Sequence, residues 1–263
     1  MGKGLVMESG IQKLDRGLDK DGFIENLYSP KNIAPEFQDV VSAVVDSLLR
    51  ELPGQVDGIY LYGSVPRGAA IVGHSDLDVS IVLVTPIRQR EKEVFNLLSD
   101  TIPQIYPQVT KLDIDPGSLS EVLQPSEEFH WQFWLKHCCC CIWGNDLSIK
   151  FPRYKPSNEI AQALNGDLST FLKQMTPSFK TMVDTDVAKV IGKRLVRAAY
   201  YFVAEQDGSW YTNLTLCAAV AKRYYPNQSD DIELAHQYAL GNLISKTEAF
   251  ELYERLSKEI NLS

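Results

Sequence analysis

Residues 62–84 read YGSVPRGAAIVGHSDLDVSIVLV and carry the strongest structural signal in the chain. An apolar segment at 58–62, GIYLY, runs into a Gly-Ser turn, and a short connection leads to a second apolar segment at 76–84. Both segments are rich in the β-branched and aromatic residues that favour strands. The sequence therefore predicts two strands joined through a glycine turn, with Asp76 and Asp78 at the start of the second strand.

The Gly63-Ser64 turn has the composition of a site that holds an anion. Glycine permits positive φ and lets a bulky phosphate approach the backbone, and Ser64 adds a hydroxyl and an N–H. Pro66 presets the first turn of a short helix whose free N–H groups attract anions, and Arg67 would add a positive charge. Because Gly-Ser pairs are also common in ordinary turns, this turn alone does not identify a phosphate site.

Asp76 and Asp78 stand two residues apart, so their side chains would lie on the same face of a strand. Two neighbouring carboxylates at the end of an apolar strand repel each other unless a cation lies between them. Hard oxygen ligands suit Mg²⁺, which keeps water and phosphate oxygens in its remaining positions. An Asp-x-Asp pair alone is a common surface feature, but its position twelve residues after Ser64 favours a site for a metal-bound nucleoside triphosphate.

A third predicted strand, QVTKLDID at 108–115, supplies further acids and is expected to stop at Pro116-Gly117. Asp113 and Asp115 would share one face of this strand. In-line phosphoryl chemistry needs a group that orients or deprotonates the attacking hydroxyl, or that completes a second metal site. We favour Asp113 for this role, with Asp115 as the alternative.

The remaining patterns divide the chain into a mixed part and a helical part. Helices are predicted at 35–52 and 88–99, and a fourth strand at 138–143. After residue 152 strand signals disappear, and helical periodicity covers 156–175, 185–205, 212–225, 230–242 and 245–260. These patterns predict an α+β protein: a domain with a mixed sheet over residues 1–150, including an extension at 1–34 that is expected to wrap the surface, and a helical domain over 151–263.

Composition excludes several classes of function. A net charge of −8 and a pI of about 5.1 argue against a nucleic-acid backbone as the main partner. No run of 18 apolar residues occurs, so no membrane span is predicted. Four of the five cysteines are consecutive at 138–141, a pattern that favours packing in a buried strand over metal binding. Without a disulfide framework, a cytoplasmic location is expected.

The segments LYGSVPRG and HSDLDVSIVLV resemble the nucleotidyltransferase superfamily that includes DNA polymerase β. Its signature is a Gly-Ser turn, a short connection, an Asp-x-Asp pair flanked by apolar residues, and a third acid on a later strand. Within it, the sequence is most similar to the bacterial aminoglycoside nucleotidyltransferases of the streptomycin/spectinomycin type. Those proteins pair a domain of the polymerase β type with a helical C-terminal domain, and the resemblance implies the same fold here.

The resemblance also implies roles for the residues that match the signature. Gly63 and Ser64 would hold the triphosphate of ATP or another NTP. Asp76 and Asp78 would bind Mg²⁺, with two ions expected. The third acid falls on Asp113, as a general base or as a further metal ligand.

The helical part offers a pair of cations in IGKRLVRAAYYFV. Lys193 and Arg197 are four residues apart and so lie on one helical face. In the resembling enzymes a basic residue on such a helix holds the triphosphate; Arg197 fits that place best, and Lys193 is the second choice. A solvated helical face is the alternative. The loop at 210–212 would border the base or the acceptor, whereas His130 and His137 are interpreted as core or hinge residues without chemistry.

The predicted function is the transfer of NMP, with AMP from ATP favoured, to a hydroxyl of a small molecule such as an aminoglycoside-type antibiotic, with release of pyrophosphate. Three alternatives stay open: an antitoxin-like enzyme that AMPylates protein side chains, an RNA-tailing enzyme, and a non-catalytic nucleotide-binding regulator. The acidic charge disfavours RNA tailing. The intact set of three acids disfavours a pure binding protein. Acceptor, base preference and oligomeric state are left open.

Overall fold

Four strands form one mixed sheet in the computed structural model, which describes residues 16–260. The strands are β1 (Val56–Tyr62), β2 (Ser75–Leu83), β3 (Val109–Ser118) and β4 (Cys140–Gly144). Their order is β3-β2-β1-β4; β1 runs antiparallel to β2 and β4, while β2 and β3 are parallel. The three strands that the acidic motif required are therefore adjacent in the sheet.

Four α-helices accompany the sheet within the described residues. They are α1 (Pro35–Glu51), α2 (Gln89–Ile105), α3 (Leu119–Val122) and α4 (Phe133–His137). Helix α1 begins at Pro35. The first N–H groups of a helix have no acceptor within the helix, so a proline, which lacks an N–H, costs no hydrogen bond at this position. Helix α2 makes the crossover that a parallel β2–β3 pair requires. It continues beyond the predicted end at residue 99 and includes Pro103.

The alternation of side chains along β2 separates two cores. Leu77, Val79 and Ile81 are fully buried on the face that packs against α1 and α2. Ser80 points to the opposite face, where its hydroxyl accepts a hydrogen bond from the Trp134 indole N–H at 3.1 Å. Since side chains two residues apart share a face, Asp76 and Asp78 lie on that second face, away from α1 and α2.

Two predicted strand boundaries are wrong. Strand β3 continues through Pro116 and Gly117, which pair with Ile81 and Val82 of β2. Strand β3 lies at the edge of the sheet and has a neighbouring strand on one side only. A proline, which cannot donate a backbone hydrogen bond, is therefore tolerated there. Strand β4 begins only at Cys140, because Cys138 still caps helix α4.

Three of the four consecutive cysteines are buried, as predicted, and the fourth, Cys141, is half-buried. Cys138, Cys139 and Cys140 each belong to a different hydrophobic cluster. All five cysteines of the chain are free thiols. Burial raises the pKa of the Cys138 and Cys140 thiols to about 12, so these side chains behave as small apolar groups at neutral pH.

Six α-helices follow the sheet, and the described residues after Gly144 contain no strand. They are α5 (Asn158–Asn165), α6 (Leu168–Phe179), α7 (Asp184–Asp207), α8 (Leu214–Tyr224), α9 (Ser229–Leu240) and α10 (Lys246–Ile260). The prediction of a single helix at 156–175 is wrong. Gly166 and Asp167 interrupt the helical structure and separate α5 from α6. Helix α7 is central, and α9 approaches it so closely at Gly192 that a Cβ there would lie 2.4 Å from the Ala235 carbonyl oxygen.

The described part of the N-terminal extension does more than wrap the surface. Ile24 is 3% exposed and belongs to the core of the helical part, together with Phe133 from α4. The Trp210 N–H donates to the Arg16 carbonyl oxygen at 2.7 Å. Expectations for residues 1–15 lie outside the described residues, and the division into domains at residue 150 stays a prediction.

The fold class is confirmed at the level of an α+β protein with a mixed sheet and a helix-rich remainder. Among the described helices, none is both long enough and apolar enough to cross a bilayer.

Candidate active site

A cavity of about 390 Å³, called here the nucleotide cavity, brings together side chains from distant parts of the chain. Its lining includes seven predicted site residues: Gly63, Ser64, Arg67, Asp76, Asp78, Lys193 and Arg197. The eighth, Asp113, is not part of the lining but pairs with Asp78 across β2 and β3. The structure thus brings predicted site residues from the 63–78 segment together with Lys193 and Arg197 from the helical part.

The turn after β1 requires glycine at position 63. Gly63 has φ of 78°, and a Cβ there would lie 1.9 Å from Oδ2 of Asp78. Ser64 leads into a short 3₁₀ turn at Val65–Arg67, with Pro66 in its first turn as predicted, and the Ser64 side chain does not cap it. The turn therefore places Ser64 in the lining of the same cavity as the Asp76 and Asp78 carboxylates.

Arg67 fixes this turn and joins it to the helical part. Its Nε donates to the Gly63 carbonyl oxygen at 2.8 Å, and its Nη1 donates to the Thr212 hydroxyl at 3.1 Å. Because both bonds go to protein acceptors, Arg67 holds the glycine turn in place while its guanidinium adds positive charge to the cavity wall. Direct binding of phosphate by Arg67 stays a prediction.

The sheet register lines up the acidic groups. Tyr62 of β1 pairs with Asp78 of β2, and Asp78 pairs with Asp113 of β3. Asp76 accepts a hydrogen bond from the Thr110 hydroxyl at 2.6 Å. Asp113 forms an ion pair with Lys111 on its own strand. Neighbouring strands thus hold the acids in a fixed row on one face of the sheet.

Asp78 is electrostatically strained in the absence of a cation. Burial, together with the nearby carboxylates of Asp113, Asp76 and Asp115, raises the pKa of Asp78 to about 7. A buried carboxylate among like charges is stabilised by a divalent ion, which reverses the local balance of charge. A divalent cation bound beside Asp78 would therefore interact favourably with several carboxylates at once.

Asp76 and Asp78 fit a Mg²⁺ ion whose other ligands are water and phosphate oxygens. Both are hard oxygen donors on one face, and both line a cavity with room for those additional ligands. Across residues 16–260, no group of three or more His, Cys, Asp or Glu side chains is arranged to hold a metal by itself. The complete set of Asp76, Asp78 and Asp113 as metal ligands therefore stays a prediction.

Asp115 is directed to a different partner from Asp113. The Tyr62 hydroxyl donates to Oδ2 of Asp115 at 2.5 Å. Burial and the Asp115 charge raise the pKa of Tyr62, so the phenol keeps the proton that it donates. Asp113, rather than Asp115, stands opposite Asp78 in the register, which supports the preference for Asp113 as the third acid.

Helix α7 presents two cations to the same cavity. Lys193 and Arg197 are both exposed and both line it. Within the part of the chain that the structure describes, neither side chain forms an ion pair. The same cavity is thus lined by two cations without an ion-pair partner and by crowded carboxylates, a combination that a metal-bound polyphosphate would neutralise.

Sequence reasoning missed part of the lining. The N-terminal segment contributes Glu25, Leu27 and Tyr28, and His137, to which no chemistry was assigned, also reaches the cavity. No periodicity marks the N-terminal segment, so no local signal could have placed it there.

In the 210–212 loop, Trp210 and Thr212 line the cavity, and Trp210 stacks on Tyr201 with ring centroids 4.7 Å apart.

His137 is expected to make the protein less stable in acid. The side chain is 4% exposed, its Nε2 accepts from the Tyr154 N–H at 2.9 Å, and burial lowers its pKa to about 4. Since the unfolded chain binds the proton near pH 6.5 and the folded protein does not, stability is lost as pH falls from 6.5 towards 4. The loss attributable to this group is roughly 3 kcal/mol.

Urea unfolding of wild type and His137→Gln across this pH range tests the assignment. Glutamine keeps an acceptor for the Tyr154 N–H but does not titrate. The difference in unfolding free energy between the two proteins should therefore shrink as pH falls. Parallel curves would show that His137 does not contribute.

Comparisons with known proteins agree with this fold. No family model and no curated protein matches the sequence. Among solved structures, spectinomycin adenyltransferase AAD(9) from Enterococcus faecialis, crystallised with ATP and spectinomycin, aligns with a TM-score of 0.55 and 17% identity. The alignment covers 84% of this chain and 98% of that one, and at this identity it shows a shared fold. The predicted resemblance to the nucleotidyltransferases is thereby confirmed at the level of fold.

Two toxin–antitoxin structures align much less well. They are a mutant MntA-HpeT toxin-antitoxin and a tri-AMPylated Shewanella oneidensis HEPN toxin in complex with MNT antitoxin. Each is 12% identical; the alignments cover 53% and 54% of this chain and 94% and 95% of the others. Their TM-scores of 0.29 and 0.27 are too low to support an inference.

Proposed function

We propose that this protein is a Mg²⁺-dependent nucleotidyltransferase that moves NMP, with AMP from ATP favoured, to a hydroxyl of a small molecule and releases pyrophosphate. The observation that carries the proposal is the nucleotide cavity itself, where the carboxylates of Asp76 and Asp78 and the cations of Lys193 and Arg197 line one space. A nucleoside triphosphate bound with Mg²⁺ supplies the opposite charge for both groups.

The chain's own residues account for binding of the triphosphate. The Gly63-Ser64 turn approaches the phosphates with backbone and hydroxyl groups, and Arg67 keeps that turn in place. Lys193 and Arg197 neutralise the charge that develops on the leaving pyrophosphate, which is the dominant requirement in this chemistry. Asp76 and Asp78 would hold Mg²⁺, which when bound withdraws charge from the phosphate oxygens.

Asp113 serves as the general base in this scheme. The acceptor oxygen forms a bond to the α-phosphorus, while the bond from the α-phosphorus to the bridging oxygen of the β-phosphate breaks. The hydroxyl proton passes to the Asp113 carboxylate, and the electron pair leaves with pyrophosphate. The Lys111 ammonium forms an ion pair with the Asp113 carboxylate and holds it on the strand face that carries the acids.

Nucleotide transfer with release of pyrophosphate tests the proposal directly. The protein is incubated with Mg²⁺, ATP labelled at the α-phosphate, and a panel of aminoglycosides, spectinomycin and lincosamides. Transfer to one acceptor that disappears in Asp76→Ala would support the proposed activity and identify the acceptor. Absence of Mg²⁺-dependent binding of any nucleoside triphosphate would contradict it.

Arg197→Met is expected to weaken ATP binding by about 10- to 100-fold, because one charge-assisted contact contributes roughly 1.5–3 kcal/mol. Lys193→Met should have a smaller effect in the same direction. Isothermal titration with ATP and Mg²⁺ measures both. The matched control is Lys180→Met, an exposed lysine outside the nucleotide cavity. Equal affinities in all three variants would contradict a role for α7 in holding the triphosphate.

A further inference from the structure

A second cavity, of about 340 Å³, adjoins the nucleotide cavity and shares Trp134 with it. We call it the aromatic cavity. Its lining consists of Asp115, Pro116, His130, Trp131, Trp134 and Leu164. Asp115 lies two residues after Asp113 on the same face of β3, so the aromatic cavity opens beside the row of acids.

The walls of the aromatic cavity are mostly apolar. Two indole rings, a proline and a leucine supply them, and Asp115 is the one carboxylate among the described residues that form the lining. His130 is exposed, and its Nδ1 lies 2.8 Å from the Glu127 carboxylate. The aromatic cavity therefore offers one negative group and two aromatic faces to a ligand.

Neighbouring residues fix these groups in place. The Tyr62 hydroxyl holds Asp115 at 2.5 Å, and the Tyr62 ring packs edge-on against Trp134 with centroids 5.0 Å apart. At Gly117, a Cβ would lie 2.8 Å from the ring of Trp131, so glycine allows that indole to lie against β3. A carboxylate and two indoles held in this way form a preorganised binding site.

We infer that the aromatic cavity binds the acceptor, and that the acceptor is a hydroxyl compound with a mainly apolar body and a single amine rather than a polycation. This inference rests on the proposed function. Each ammonium group taken from water needs its own anionic partner, and one such partner, Asp115, is available here. Indole faces attract a single cation and cover an apolar body.

The spacing of Asp113 and Asp115 predicts the distance between the amine and the reacting hydroxyl of the acceptor. Residues two apart on a strand are separated by about 7 Å. An amine bound at Asp115 would therefore place a hydroxyl roughly 7 Å away beside Asp113, which takes its proton in the proposed reaction. Tyr62 acts here as a positioning residue, because it orients Asp115 and supports Trp134.

Quenching of tryptophan fluorescence tests the inference without turnover. The probes with one amine and at least one hydroxyl are lincomycin, clindamycin and propranolol; the polycationic probes are kanamycin and streptomycin. We expect saturable quenching by at least one monoamine and none by the polycations. Trp131→Phe should remove most of the signal, whereas Trp143→Phe, an exposed residue outside both cavities, should leave it unchanged.

Asp115→Asn provides the second arm of the test. It should weaken monoamine binding by about 10-fold or more, since a charge pair is lost, while ATP affinity measured by titration calorimetry stays within about two-fold. Loss of affinity for both ligands would mean a structural role and would contradict the inference.

The inference and the proposed function can fail separately. The inference is wrong if a polycation binds with the same sensitivity to Trp131→Phe and Asp115→Asn, or if none of the three monoamines quenches. Transfer of AMP to kanamycin without monoamine binding would overturn the inference and leave the proposed function standing. Monoamine binding by a protein that fails to bind ATP with Mg²⁺ would contradict the proposed function instead.

Discussion

Asp78→Asn is expected to lower the rate of nucleotide transfer by about 1,000-fold or more, because it removes one of the two carboxylates proposed to hold Mg²⁺. The same substitution should raise the unfolding temperature of the metal-free protein. In the folded protein the pKa of Asp78 is raised to about 7, from an ordinary value of 3.8. The folded wild type therefore becomes less stable as pH rises from about 4 through 7, and an uncharged asparagine avoids that loss.

Thermal unfolding at about pH 8, with and without Mg²⁺, measures the second effect alongside the transfer assay. Mg²⁺ should raise the unfolding temperature of wild type and have little effect on Asp78→Asn. The control is Asp100→Asn, an exposed acid near the end of α2 that lies outside the nucleotide cavity. A variant that loses activity and stability together would show that Asp78 supports the fold rather than a metal ion.

The centre of the site could be predicted from sequence because its geometry is local. Alternation along a strand fixes Asp76 and Asp78 on one face whatever surrounds them. A glycine at the end of a strand permits positive φ, and the structure shows φ of 78° at Gly63. Short connections keep these groups together, so neither prediction depended on the arrangement of the whole chain.

Other parts of the site depend on contacts between residues far apart in sequence. Tyr62 binds Asp115, 53 positions away, and Arg67 binds Thr212, 145 positions away. No local pattern specifies either pair, because both follow from how strands and helices pack. The same reason explains the wrong end of β3: Pro116 is tolerated at an edge of the sheet, and the order of the strands was not known from sequence.

The charges of the two regions also depend on each other. Crowded carboxylates on the sheet and unpaired cations on α7 are each unfavourable alone, yet they line the same nucleotide cavity. The Arg67–Thr212 bond ties the glycine turn to the loop that follows α7. A ligand that carries both a cation and several anionic oxygens would relieve both regions together, which is the physical case for a metal-bound triphosphate.

Gly63→Ala is expected to abolish most of the activity through a steric effect at one atom. A Cβ at this position would lie 1.9 Å from Oδ2 of Asp78, so the carboxylate must move away from its place beside Asp76. Positive φ adds a backbone cost of about 1–2 kcal/mol for alanine. We expect transfer to fall by about 100-fold or more, since displacement of a metal-binding group by an ångström has effects of that size.

Gly54→Ala is the matched control for this prediction. Gly54 has a similar φ of 70°, but a Cβ there has no atom within 4 Å, so alanine meets the same backbone strain without a contact. Both variants should lose about 1–2 kcal/mol of unfolding free energy from the backbone alone. If Gly63→Ala lost no more activity than Gly54→Ala, the close approach of Gly63 to Asp78 would have no role in catalysis. A selective loss of transfer in Gly63→Ala would show that the glycine is required by the neighbouring carboxylate rather than by the turn.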